Sequence, residues 1–422
     1  MKTPTRSRNR ALLCITALAA SVSLVAASCS NDGDPAAGDG TSTSAPGDEG
    51  ALWSGPAPNT DEMSPEDAQR IDEGAQQVLA QSGGATPGAW VGIWDADTGK
   101  HIGAYGNAVI DGAEAKSDQS GRIGSVTKTF TATAMLQQVS EGWASFDDTV
   151  EDLLPDLAKK YPDVASVTVE QLVGMTSGIP DYANSDWFLP QVVADPTKVW
   201  TADEIIDQVL SRGDLSAPGT AGYSTTNYLI LGEMLQGLVQ GGGDIGSIIT
   251  SLADNAGLTR TALPQPDDAE LPDPYSNGYV TEPGVEELAA AGATVAAGTD
   301  VTDWSPSWGG AGGAMYANIE DLGQWAGGGL GTSLLSKDTG DKRISDTKSL
   351  PEGTDYGLGI EVWGDGWIGH TGQIIGWESM AAYNTDTGDV FVAIVNETGS
   401  LAVAVGIADQ VYPELAERMA GL

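Results

Sequence analysis

Strand-forming runs stand near the two ends of this chain and helical patterns fill its middle, a distribution that leaves few folds open. Towards the front, residues 89–95 and 101–108 carry apolar, aromatic and β-branched side chains and are joined by the turn Asp97-Thr98-Gly99. Towards the back, residues 357–363, 377–384 and 390–395 read the same way, the last two joined as a hairpin through Asp386-Thr387-Gly388-Asp389. Between them the pattern is helical and loop-rich, with turn clusters at Thr176-Ser177-Gly178-Ile179-Pro180 and Leu263-Pro264-Gln265-Pro266. Strands at both ends with helices between them predict one sheet built from both chain ends. The expected class is α/β (α+β): an antiparallel sheet flanked by helices over residues 63–142 and 300–422, with a mainly helical domain inserted over 143–299. Ser64-Pro65-Glu66-Asp67 opens a helix towards Leu79, residues 226–239 form another, and an amphipathic helix is expected from Leu401 to about Arg418. No internal repeat is present.

The first segment stands outside that body. Lys2, Arg6, Arg8 and Arg10 precede an apolar run over 11–27, which describes an export signal over 1–28 rather than a spanning helix. Ala26-Ala27-Ser28-Cys29 resembles a bacterial lipobox, with alanine where leucine is usual, so lipidation at Cys29 is expected. An ordinary signal cut near Ser28 is the alternative. The expected location is extracytoplasmic, at a bacterial cell surface, held through that lipid. Residues 29–62 are Asp-, Gly-, Ser-, Thr- and Pro-rich and read as a flexible acidic tether. The only other cysteine, Cys14, lies inside the signal, so the remainder has no thiol for a disulfide, a nucleophile or a metal. A formal charge of -40 opposes nucleic acid and anionic headgroups. Contact with a membrane is therefore expected only through the lipid anchor.

The chemistry-bearing feature is Gly124-Ser125-Val126-Thr127-Lys128. Residues three apart share a helical face, and the run over 125–141 is apolar all round, so this helix is a buried one. An amine beside an alcohol can activate it without histidine. The alternative is a helix cap with Lys128 in solvent. A second Ser-x-x-Lys, Ser345 to Lys348, sits among charged residues and reads as solvated loop.

Three further features follow: Tyr223-Ser224-Thr225, Gly369-His370-Thr371-Gly372-Gln373, and the turns Met175-Thr176-Ser177-Gly178 and Gly312-Gly313-Ala314-Met315-Tyr316. In this order and spacing the chain resembles the serine β-lactamase and penicillin-binding D-alanyl-D-alanine carboxypeptidase superfamily, in the branch of class C enzymes and related esterases. The resemblance implies that fold, an acyl-enzyme on Ser125, and Lys128 as its activating partner. Tyr223 is implied as general base, with the backbone N–H groups of Ser125 and Gln373 as oxyanion hole. Thr225, His370, Thr371 and Gly372 are implied as substrate contacts. A free phenol titrates near 10, and lowering it to about 7 takes roughly 4 kcal/mol. One ammonium about 4 Å away supplies that much, so Lys128 is expected to depress Tyr223. For Tyr223 the alternative is a core tyrosine, and for His370 a structural histidine.

The family pattern commonly has asparagine where this chain has Thr225, which shifts the expectation from tight amide recognition towards an ester; Asn227 is a candidate to compensate. No Glu stands where class A enzymes use one for deacylation. No Gly-x-Ser-x-Gly elbow serves a histidine triad, and two histidines without a usable cysteine supply no zinc site. No metal or cofactor is expected. The implied activity is D-alanyl-D-alanine carboxypeptidase-like cleavage of wall peptides, with β-lactam or ester hydrolysis as alternatives. A non-catalytic wall-binding lipoprotein is the rival of another class.

Overall fold

Both ends of the chain do meet in one sheet. In a computed structural model the described residues are 51–419 apart from 184, 240, 241 and 352. The expected signal, Cys29 and the tether as far as residue 50 lie outside them.

Eight strands form the main sheet: β1 (Gly88–Asp95), β2 (Gly99–Gly106), β3 (Lys348–Ser349), β4 (Asp355–Tyr356), β5 (Glu361–Gly364), β6 (Trp367–Ile374), β7 (Trp377–Asn384) and β8 (Val390–Val395). Their order is β2-β1-β8-β7-β6-β5-β4-β3, and every pairing is antiparallel. The front hairpin thus docks on the last strand, Ala89 opposite Val395 and Trp94 opposite Val390. All six residues of β8 are buried. Val390, Val392 and Ile394 enter the core on one face, and Phe391, Ala393 and Val395 that on the other. A strand covered on both faces needs an unbroken apolar run, which is what 390–395 supplies.

One face is covered by helices α1 (Pro65–Gln81), α5 (Ala402–Ala408) and α6 (Pro413–Met419). Ser64 caps α1 by accepting from the Asp67 amide, and Ile71 and Ala75 are its buried contacts. On the opposite side the core is built from α2 (Thr127–Ser140), α3 (Thr225–Leu238), which packs on α2, and α4 (Ile319–Gly327), which lies on β1, β7 and β8. The first ten residues of α2 are buried. Its threonines spend their hydroxyls on neighbouring carbonyls, Thr131 on Ala311 and Thr133 on Thr129, while Phe130 stacks on Trp325 at 3.8 Å.

Four expectations shift. The tether expected over 29–62 is packed from residue 51 on: Trp53 is 7% exposed and its amide donates to Leu335 O. One large ring outweighs the polar composition around it. The strand expected over 357–363 is instead β4 and β5, with Leu358 and Ile360 buried in the turn between them. The single helix expected from 401 to 418 breaks before Pro413, which has no N–H to continue it. Ser345 ends the helix Lys337–Ser345 rather than lying in a loop; Lys348 bonds Asp346, and both Ser345 and Lys348 are exposed. The middle of the chain also contributes strands, Tyr279–Val280 and Thr299–Asp300, which join Glu397–Thr398 in a small sheet. The described residues form one compact unit.

Candidate active site

Ser125 stands on a single 3-10 turn, Gly124–Val126, that leads into α2. Gly124 has φ +46, and a Cβ there would lie 2.4 Å from the Gln373 amide nitrogen. A Cβ on Gly372 would come within 2.1 Å of Ile123 O. Only two glycines let the serine turn and β6 approach this closely, and the Ser379 hydroxyl fastens the same contact at Ile123 O, 2.8 Å away. The sequence thereby sets the Gln373 amide beside Ser125.

Lys128, one turn beyond Ser125 and at the start of the buried helix, has Nζ 2.9 Å from Ser125 Oγ and 2.8 Å from Gly312 O. It also lies 4.9 Å from the Tyr223 ring centre. Tyr223 arrives from the segment before α3; Ser224, its neighbour, bonds Pro180 O, and the Thr225 amide donates to Asp181. The amine, the phenol and the alcohol therefore converge.

Burial sets their protonation in a direction the sequence argument did not foresee. Desolvation pulls Lys128 down to about 7, against the opposing pull of the Asp181 and Glu361 carboxylates. Desolvation pushes Tyr223 well above the ordinary phenol range, although its hydrogen bond with Ser125 works the other way. The expected depression of Tyr223 by Lys128 does not occur. Burial penalises ammonium and phenolate alike, so the phenol keeps its proton while the amine gives up its own near neutral pH.

Ser125, Tyr223 and Gln373 sit where two lobes of a cleft meet. One lobe, about 370 Å³, is bordered by Glu361, Thr371, Gly372 and Glu378. The other, about 60 Å³, is mostly apolar, with Thr225, Leu288, Trp308 and Ile375 on its walls and Glu287 at its side. Thr371, Gly372 and Thr225 thus line the cleft into which Ser125 opens. His370 does not: it points to the opposite side of β6 from Thr371, is fully buried, and meets the Tyr356 hydroxyl at 3.0 Å. Burial lowers it to about 3, so it is neutral. Asn227 does not stand in for the missing asparagine either. It is fully buried, accepts from the Ser177 hydroxyl at 2.7 Å, and donates to Leu172 O. Its amide holds the 175–178 turn in place.

Sequence reasoning missed Glu361, Glu378 and Glu287. Burial raises all three carboxyls, Glu361 to about 7. A signal existed for Glu361, the one acid inside the apolar run Gly357-Leu358-Gly359-Ile360-Glu361-Val362-Trp363. Among the described residues there is no cluster of His, Cys, Asp and Glu able to hold a metal.

A family model described as Beta-lactamase matches residues 70–412. Over 127 residues the chain is 32% identical to penicillin-binding protein 4 of Amycolatopsis lactamdurans, covering 30% of this chain and 31% of that one. Over 170 residues it is 28% identical to penicillin-binding protein 4* of Bacillus subtilis, covering 39% and 35%. The matched part thus spans about a third of these relatives' length. Among solved structures, the D-stereospecific amidohydrolase from Streptomyces sp. aligns with a TM-score of 0.68 at 26% identity, over 82% of this chain and 99% of that one. The D-amino acid amidase from Ochrobactrum anthropi SV3 complexed with L-phenylalanine aligns with a TM-score of 0.69 at 22% identity, over 83% and 99%. With the family match running from within α1 to the residue before α6, and this fold around the serine, the chain belongs to the beta-lactamase family.

Proposed function

We propose that this beta-lactamase-fold serine hydrolase cleaves amide or ester bonds of small D-aminoacyl compounds by acylating and deacylating Ser125. The observation that carries the reading is the desolvated Lys128 amine 2.9 Å from the Ser125 hydroxyl. Neutral Lys128 takes the serine proton as Oγ attacks the carbonyl carbon. The amide N–H groups of Ser125 and Gln373 stabilise the developing oxyanion, each contributing a factor of about 100 to 1,000. Tyr223, a neutral phenol beside both, passes a proton to the departing nitrogen or oxygen and is refilled from Lys128. Water then attacks the acyl-enzyme by the same steps in reverse roles.

Two observations favour a neutral leaving group. Neither lysine nor arginine is among the described residues lining the cleft, whereas three carboxyl groups are. The structural relative at 26% identity is named a D-stereospecific amidohydrolase. The carboxypeptidase reading uses the same steps but needs a hold for a terminal carboxylate; it draws support from the relatives named penicillin-binding proteins.

The experiment is labelling with a fluorophosphonate, followed by hydrolysis of D-alaninamide, a nitrophenyl ester and nitrocefin side by side. Label on the wild type and none on Ser125→Ala is the expected result. Equal labelling of the two removes the acyl-enzyme.

A further inference from the structure

We propose that Glu361 sets the charge of the leaving group this enzyme accepts, by filling with its own carboxyl the hydrogen-bonding anchor at Thr371 that a substrate carboxylate needs. The inference rests on the acyl-enzyme reading and adds to it the basis of selection.

Thr371 offers two donors on the open edge of β6, in the same cleft as Ser125. β5 pairs with β6 only at Trp367, Ile368 and Gly369, with Glu361 opposite Gly369. Beyond that point no strand among the described residues follows on this side, so the Thr371 amide would be left for a ligand. Instead Glu361 Oε1 accepts from the Thr371 amide at 3.3 Å and from the Thr371 hydroxyl at 3.1 Å. Oε2 accepts from Trp363 Nε1 at 2.9 Å. The side chain is thus held from both ends, 5% exposed, yet borders the cavity.

An incoming carboxylate meets both donors occupied and a carboxyl of the same charge beside them. Lys128, the cation that acts on Glu361, lies behind Ser125 rather than among the described lining residues, and burial draws it down to about 7, so above that pH it offsets little of the charge. His370, whose Nδ1 is 3.2 Å from Glu361, does not neutralise it, because burial keeps the ring uncharged. An uncharged amide or ester end meets no such repulsion.

The test uses two peptides with one scissile bond, acetyl-D-alanyl-D-alanine and acetyl-D-alanyl-D-alaninamide, read by release of D-alanine or D-alaninamide. At pH 8, above the value of about 7 to which burial raises Glu361, that carboxyl is mostly ionised. Wild type is expected to cleave the amide-ended peptide with a kcat/KM at least about tenfold higher. Glu361→Gln, which keeps shape and removes charge, is expected to narrow that ratio by about tenfold or more, through faster cleavage of the acid. An unchanged ratio in the variant overturns the proposal. So does a wild type that prefers the acid, a result that needs no variant to fold. Fluorophosphonate labelling of Ser125 separates the two layers. A labelled enzyme with an unchanged ratio sinks the assignment to Glu361 alone, whereas an unlabelled wild type, or one that cleaves neither peptide, sinks the reading beneath it.

Discussion

Taking the Lys128 ammonium out of water costs free energy that no adjacent carboxylate fully returns, and this cost makes it a base near pH 7 rather than a cation. The sign of the pH dependence follows. In the proposed mechanism the neutral amine is the working form, so kcat/KM should rise with pH and level off above about 7. Asp181 and Glu361 favour the ammonium; in Glu361→Gln the rise should therefore move to lower pH, as a pH profile of ester hydrolysis would show. Lys128→Met should lower kcat about 100- to 10,000-fold while leaving the fold intact by circular dichroism. Tyr223→Phe removes the phenol proposed to serve the leaving atom. Its loss should be larger by about tenfold or more for D-alaninamide than for a nitrophenyl ester, whose leaving group needs no proton. At this scale the pairing of the proposed nucleophile with its amine was legible in Ser125-Val126-Thr127-Lys128, since helical spacing alone brings them to one face. The protonation of Tyr223, the withdrawn position of His370 and the structural employment of Asn227 were not, because each depends on what packs around it from distant segments.

Among the elements, the contact between the serine turn and β6 decides whether the site exists. Gly124 combines a left-handed φ with a strand at its back. Gly124→Ala should push Gln373 away from Ser125, destabilise the fold by about 1–3 kcal/mol, and slow labelling of Ser125 by more than about tenfold through loss of an oxyanion donor. Urea unfolding and labelling rates would check the two effects separately. The helices α1, α2 and α3 and the strands β1, β7 and β8 could be read from capping residues and apolar runs. β4 and β5 could not, because the turn between them is as apolar as the strands, with Leu358 and Ile360 filling the core. Pro413 marked the break between α5 and α6; helical periodicity on both sides of it concealed the stop.

For the whole molecule, the stretch from 51 to 62 is tied into the body. A bridge joins Leu52 to Ser336, and Trp53 packs beside Gly329 and Gly340. Trp53→Ala should cost about 3–5 kcal/mol, lowering the urea midpoint. Composition assigned this stretch to a tether because composition averages over residues, and a single buried indole is invisible to an average. What the sequence determined by itself was whatever depends on near neighbours: helix starts, strand periodicity, a serine and a lysine one turn apart, and the pairing of both chain ends in one sheet. Tertiary structure decided the rest, namely which polar groups lose their water and which partners they find. Desolvation acts through every atom within several ångströms regardless of chain order, so the neutral Lys128, the high-titrating Tyr223 and the Glu361 carboxyl on Thr371 exist only once the sheet has closed around them.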